Sequence, residues 1–259
     1  MFRNNRIKVV NVYDGKMTPH KVVGNVFFVG TYQASSHIID TGDGLIMIDT
    51  GYAKTFYLVL HSLYQLGYKP TDVKYIINTH WHGDHTEATG LMVDLSGAKT
   101  LIGKEDAQRV VEKGYFTPDI LITDGYTLEL GNTKIRFVET PGHTKGTISF
   151  FFDVTDGGKV YRCGSFGGAG VNTMEKNRLD FPEGREAYRA SLNRLRMESV
   201  DVMIGNHTWN NNGYEYGRLI LETGENRFID PTLWHRFLDY CEARLDAVIE
   251  RERQEDKEG

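Results

Sequence analysis

The sequence predicts an α/β fold in which two mixed sheets pack face to face with helices on the outside. Three observations predict it. Strand-like and helix-like runs mix along all 259 residues instead of segregating into halves. Asp43-Gly44 and Gly131-Asn132 are hairpin signals between apolar runs, so antiparallel pairs must occur beside crossovers, against a single parallel sheet. No proline- or serine-rich linker, low-complexity tract or short-period repeat interrupts the chain, which predicts one domain over residues 1–259.

The elements follow in order. Residues 22–31 and 37–49 read as strands, the second broken by the turn Thr41-Gly42-Asp43-Gly44. A helix is predicted over 53–66, stopped by Gly67. Residues 73–79 form a strand, 84–95 a helix, 100–102 a short strand and 104–113 a helix. The pattern then turns to strands at 126–130, 134–139, 147–153 and 159–161. A helix over 184–197, a strand over 201–204 and a helix over 231–250 complete the chain, and 251–259 reads as a frayed, charged end.

Composition narrows the function classes. A net charge of -5, with no basic stretch interleaved with aromatics, argues against nucleic-acid binding. Residues 1–6 lack the apolar run of a signal peptide, and no segment is apolar enough to span a membrane. Two cysteines are too few for a disulfide framework, so a reduced, cytoplasmic setting is expected. Cys163 reads as a small buried apolar residue, with metal ligation as the alternative.

His80-Trp81-His82-Gly83-Asp84-His85 is the most informative stretch, with four metal-ligand side chains in six residues. On extended backbone His80 and His82 point the same way and can share one ion. If the chain then turns into a helix, Asp84 and His85 can face a second ion. Imidazoles with one carboxylate suit zinc best, and an incomplete protein shell leaves room for a reactive water. His143 sits on the turn Thr140-Pro141-Gly142-His143-Thr144, and His207 stands at another strand end. All three histidine-bearing loops follow the C-terminal ends of predicted strands, where distant segments converge.

The motif His80-x-His82-x-Asp84-His85, the Pro141-Gly142-His143-Thr144 turn and the late His207 together resemble the metallo-β-lactamase superfamily. Leu45-Ile46-Met47-Ile48-Asp49-Thr50-Gly51 is similar to that family's first motif. The resemblance implies an αβ/βα four-layer sandwich with metals at one edge of the two sheets. It implies His80, His82 and His143 on a first metal, and Asp84, His85 and His207 on a second. Two zinc ions are the expected cofactors, with iron or manganese as alternatives. Many members carry a bridging aspartate after the next strand; here residues 161–168 contain none, and Ser165 falls at or next to that slot. The third subclass of class B β-lactamases has a serine there, and the chain is most similar to that subclass.

The chemistry such a site permits is hydrolysis. Two zinc ions sharing a water lower its pKa to about 7, and Asp84 would orient it and accept its proton. Asp49 and Thr79 are candidates to orient imidazoles from behind, or else ordinary turn and strand-end groups. Trp209, Asn210 and Tyr214 lie in a loop, 208–217, that either grips a ring-containing small molecule or is simply solvated. The leading expectation is a zinc-dependent hydrolase opening a lactam or related cyclic amide. The alternative is a lactonase, esterase or glyoxalase-type thioesterase, against which the missing aspartate counts. A diiron reductase is disfavoured by His82, and a degenerate binding module by six filled ligand positions. The expected partner is a small-molecule substrate, with no nucleic acid and no membrane; a homo-oligomer is left open.

Overall fold

The computed structural model describes residues 15–258. Residues 1–6, read above for a leader segment, and Gly259 lie outside the described residues. The first sheet contains β1 (His20–Val23), β2 (Val26–Phe28), β3 (His37–Asp40), β4 (Leu45–Ile48), β5 (Val73–Asn78), β6 (Lys99–Gly103) and β7 (Ile120–Ile122), in that order. β1 to β4 run antiparallel and β4 to β7 parallel. The second sheet contains β8 (Thr127–Leu130), β9 (Thr133–Glu139), β10 (Ile148–Asp156), β11 (Lys159–Ser165) and β12 (Val202–Met203), with β12 at one edge, parallel to β11. Seven α-helices are described: α1 (Phe56–Gln65), α2 (Gly83–Thr86), α3 (Thr89–Ser96), α4 (Ala107–Glu112), α5 (Gly184–Leu195), α6 (Gly213–Thr223) and α7 (Leu233–Glu258).

The two-residue period of the strands builds the layers. Ile46 and Ile48 of β4 join Phe150 and Phe152 of β10 in the core between the sheets. Their neighbours point the other way. Leu45 and Met47 pack with Phe56, Val59 and Leu63 of α1 and Met92 of α3. Phe151 packs with Tyr188 and Leu192 of α5 and Trp234 and Phe237 of α7. Each central strand is apolar on both faces because helices cover the outer one, which gives the four-layer αβ/βα sandwich. Cys163 is fully buried in the core between the sheets, which places it in the apolar reading and away from the metal ligands.

Several elements differ from expectation, each for a physical reason. Residues 22–31 are a hairpin, not one strand, because Gly24 turns the chain at φ 51 between β1 and β2. The helix expected over 84–95 is two helices, α2 and α3, parted where the Ala88 amide donates to the Gly51 carbonyl. β7 has no counterpart in the sequence reading, being three residues with only Ile122 buried. The loop expected over 208–217 instead turns into α6 at Gly213, packed so closely on β1 that a Cβ at Gly217 would stand 2.3 Å from the His20 ring. The end expected to fray continues as α7 to Glu258. Buried Glu252 holds it, accepting from the Lys176 amide and from the Arg185 guanidinium. Among the described residues no helix is long and apolar enough to cross a membrane.

Candidate metal centre

The loops that follow β4, β5, β9, β11 and β12 meet at one edge of the sandwich. Asp49 ends β4 with a left-handed backbone, φ 53, rare for a residue with a side chain and costing about 1–3 kcal/mol. That conformation turns the fully buried carboxylate into the site. It accepts from the Thr79 amide (2.8 Å), the Thr79 hydroxyl (2.8 Å) and His85 Nδ1 (2.7 Å). One carboxylate therefore ties the ends of β4 and β5 to α2.

His80, His82 and His143 form one group, each offering a ligand atom within 4.8 Å of the others. His80 Nδ1 donates to the Gly167 carbonyl and His143 Nδ1 to the Gly170 carbonyl, both at 2.8 Å. A carbonyl only accepts, so both rings must carry the proton on Nδ1 and turn a bare Nε2 lone pair inward. His143 Nε2 lies 2.9 Å from His82 Nδ1. Burial lowers all three basicities: His82 to about 4, His143 to about 3, and His80 well below the ordinary value. Three neutral imidazoles thus converge.

Asp84, His85 and His207 form the second group, again within 4.8 Å. Asp84 Oδ2 lies 3.4 Å from His85 Nε2 and 3.6 Å from His207 Nε2. His207 Nδ1 donates to the Gln33 carbonyl at 2.7 Å, and its ring stacks on Trp209 with centroids 4.4 Å apart. Burial opposes charge on His85, but the Asp84 and Asp49 carboxylates outweigh it and push its pKa up to about 10. Burial likewise opposes charge on Asp84, and the His85, His207 and His82 rings outweigh it, holding the carboxyl well below its usual range. His80 Nε2 is buried and, among the described residues, has no hydrogen-bond partner, while His85 Nε2 is buried and reaches only the Asp84 carboxylate, at 3.4 Å. Buried ring nitrogens without partners are costly unless a cation takes their lone pairs. Two donor sets of imidazole and one carboxylate therefore fit a pair of zinc-like ions.

The other predicted site residues divide. Thr79 and Asp49 stand directly behind the ligands, as described. Trp209 and Asn210 line the cavity above the two groups, and the Asn210 amide also donates to Asn206, which donates to the Gly167 carbonyl. Tyr214 does not line this cavity; its ring stands edge-on to Tyr32. Ser165 is buried at the end of β11 and does not line it either.

Asp106 escaped the sequence reading. Its buried carboxylate accepts from the Trp81 amide (3.0 Å), the Thr144 hydroxyl (2.7 Å) and the Gly146 amide (2.8 Å), joining the His80-to-His82 loop to the His143 turn. Burial pushes its pKa up to about 6 against those hydrogen bonds. In sequence it is one acid in Lys104-Glu105-Asp106, indistinguishable from a solvated helix start.

The cavity itself measures about 720 Å³. Glu87, Tyr52 and Tyr115 border it beside Asp84, while Asn172 and Arg244 border it as well.

Known proteins share this fold. Native FEZ-1 metallo-β-lactamase from Legionella gormanii superposes with a TM-score of 0.87 at 26% identity, covering 93% of this chain and 98% of that one. LRA-12, a class B3 di-zinc metallo-β-lactamase from an Alaskan soil metagenome, superposes with a TM-score of 0.83 at 26% identity over 93% and 97% of the chains. Among curated relatives, the lactamase-like protein aptB of Emericella nidulans is 28% identical over 198 residues, 73% of this chain. That stretch spans 58% of the relative's own length. The family model of the metallo-β-lactamase superfamily matches residues 29–207, from the end of β2 through the last histidine of the second group. With β3 to β12, the Asp49 turn and both ligand groups falling inside that match, the chain belongs to the metallo-β-lactamase superfamily.

Proposed function

We propose that this hydrolase holds two zinc ions and opens a lactam or a related cyclic amide. The observation that carries the reading is the pair of adjacent ligand groups, with His80 Nε2 buried and without a hydrogen-bond partner among the described residues. Bound zinc would supply Lewis acidity toward a carbonyl and a water of lowered pKa. The protein supplies everything else. His80, His82 and His143 hold the first ion, and Asp84, His85 and His207 the second. Asp84 Oδ2, between His85 and His207, orients the attacking water and takes its proton. Asp49 fixes the His85 tautomer, and the Gly167 and Gly170 carbonyls fix His80 and His143.

The preference for a cyclic amide rests on charge. Residues 161–168 contain no carboxylate, so Asp84 is the sole anion among the six ligands. An added anion at the second site would oppose the negative charge that grows on a leaving nitrogen. The likeness to FEZ-1 and LRA-12 over nearly the whole chain supports the same reading. Elemental analysis after zinc reconstitution should give two ions per chain. A hydrolysis panel of β-lactams, lactones and thioesters should show the lactams turned over fastest and chelation abolishing activity. One ion or none per chain defeats the binuclear site, and faster turnover of lactones or thioesters defeats the cyclic amide.

A further inference from the structure

Tyr115 belongs to none of the ligand loops, yet it borders the cavity. Three glycines put it there. After α4 the chain turns back at Gly114, whose backbone is left-handed (φ 69) and whose amide donates to the Val111 carbonyl. Gly90 of α3 admits the returning backbone, since a Cβ there would stand 2.4 Å from the Tyr115 carbonyl oxygen. Gly83 admits the side chain, since a Cβ there would stand 3.0 Å from Tyr115 Oη. The half-buried phenol therefore lies over the residue between His82 and Asp84. Glu87 reaches the same place: its Oε1 lies 3.8 Å from that Cβ position on Gly83. Its Oε2 accepts from the Ala53 amide at 2.9 Å, which brings Tyr52, the preceding residue and also a wall of the cavity, to the other side.

The fold gives the charge of Glu87 no task. A neutral glutamine would serve the Ala53 amide as well, and among the described residues Glu87 makes no salt bridge. Asp84 has its charge engaged within the second ligand group, so Glu87 is the carboxylate left to face the cavity. The two rings beside it are uncharged. Burial, with the Asp84 and Glu87 carboxylates behind it, pushes Tyr52 up to about 12 and raises Tyr115 as well. The Tyr52 ring already takes one cation, the exposed Lys54, whose Nζ lies 4.9 Å from its centroid. Lys54 does not line the cavity. An anion entering here would meet repulsion from Glu87 and Asp84. A hard metal cation needs several oxygen ligands, and one carboxylate oxygen with two neutral phenols does not supply them. An organic cation needs only a counter-charge and aromatic surface in place of its water.

We propose that Glu87, flanked by Tyr52 and Tyr115, forms a subsite for an alkylammonium group, and that this chain acts on substrates carrying one. The second half rests on the hydrolase reading above; the cation subsite does not. The test titrates zinc-loaded protein with choline and with 3,3-dimethylbutan-1-ol, by calorimetry or ligand-observed NMR. The two alcohols share one shape and differ in the charge of the quaternary centre, and neither offers zinc a nitrogen lone pair. The wild type should bind choline about 10-fold more tightly than the neutral alcohol. Glu87→Gln, which keeps an acceptor for the Ala53 amide, should weaken choline about 5- to 10-fold and the neutral alcohol less than about 2-fold. Tyr115→Leu should weaken choline about 3-fold, and Tyr115→Phe, which keeps the ring, less than about 2-fold. Equal affinity of the wild type for both probes would overturn the subsite, as would equal losses for both, or no loss of choline, in Glu87→Gln. In turnover, a lactam bearing an ammonium group compared with its uncharged isostere should show Glu87→Gln acting on KM more than on kcat. If the wild type hydrolyses neither lactam while the choline preference stands, the hydrolase reading fails and the cation subsite survives.

Discussion

The two ligand groups sit side by side but are held by opposite means. The first hangs on backbone: His80 and His143 each donate to a carbonyl of the Gly167–Gly170 strip, and no carboxylate belongs to the group. The second hangs on charge, with Asp84 within it and Asp49 directly behind His85. Backbone carbonyls fix direction with little net charge, so the first group is a rigid neutral cage. Carboxylates fix direction and also set affinity, so the second group is tunable. The consequence is that substitutions should fall unequally on the two, with side-chain changes reaching mainly the second.

Asp84→Asn should have the largest effect. The first group keeps His80, His82 and His143, so one metal should stay bound. Loss of the carboxylate that orients water and completes the second group should lower turnover roughly 100-fold or more. Near-wild-type turnover with two metals bound would show that Asp84 holds neither role.

Asp49→Asn comes next and discriminates between the groups. The amide cannot carry the charge that orients His85, so the second ion should bind about 10- to 100-fold more weakly. The first ion should change by less than about 3-fold. Calorimetric titration of metal-free protein resolves the two, and equal weakening at both sites would refute the division. Stability against pH gives a second readout in the metal-free protein. His82 and His143 have pKa values lowered to about 4 and about 3, so their contribution is present above 6.5 and lost as pH falls through those values. His85 is raised to about 10, so its contribution is full below 6.5 and lost as pH rises through about 10. Metal-free wild type should therefore melt highest near neutrality, and Asp49→Asn should flatten the alkaline side alone. An unchanged alkaline slope would place the source of the effect elsewhere than at His85.

The same contrast explains what could be read from the chain. The convergence of these six side chains was legible because four of them occupy six consecutive residues and the others follow strand ends, where a local pattern suffices. Asp49 was legible because it closes an apolar strand with Asp-Thr-Gly. Asp106 was not, since its three donors come from residues 81, 144 and 146, brought together only by the fold. Tyr214 was misplaced for a related reason. The Asn210-Asn211-Asn212-Gly213 run reads as loop throughout, but left-handed Asn212 starts α6 and turns Tyr214 toward Tyr32.

The smallest expected effect belongs to the stretch that looked most like a solvated tail. Residues 251–258 are dense in charge, and most of their ion pairs are exposed, worth about 0–1 kcal/mol each. Glu252 differs from its neighbours. It is buried at 7% exposure, and its two oxygens accept from the Lys176 amide at 2.8 Å and from Arg185 at 2.5 Å. Arg185 in turn donates to the Met174 carbonyl, so α5, α7 and the cavity-lining segment that contains Asn172 are joined at one carboxylate. Glu252→Ala leaves the Lys176 amide and a partly buried guanidinium without their acceptor, at a cost of about 1–3 kcal/mol. For a chain of this size that corresponds to a Tm lower by roughly 2–8 °C. Arg251→Ala removes only exposed pairs, with Glu175 and Glu255, and should move Tm by less than about 2 °C. Glu252 braces the segment whose Thr173 hydroxyl donates to the His143 carbonyl at 2.7 Å, so its loss should weaken metal binding at the first ligand group more than at the second. Equal Tm shifts for the two variants would mean that the charged end contributes through its surface alone.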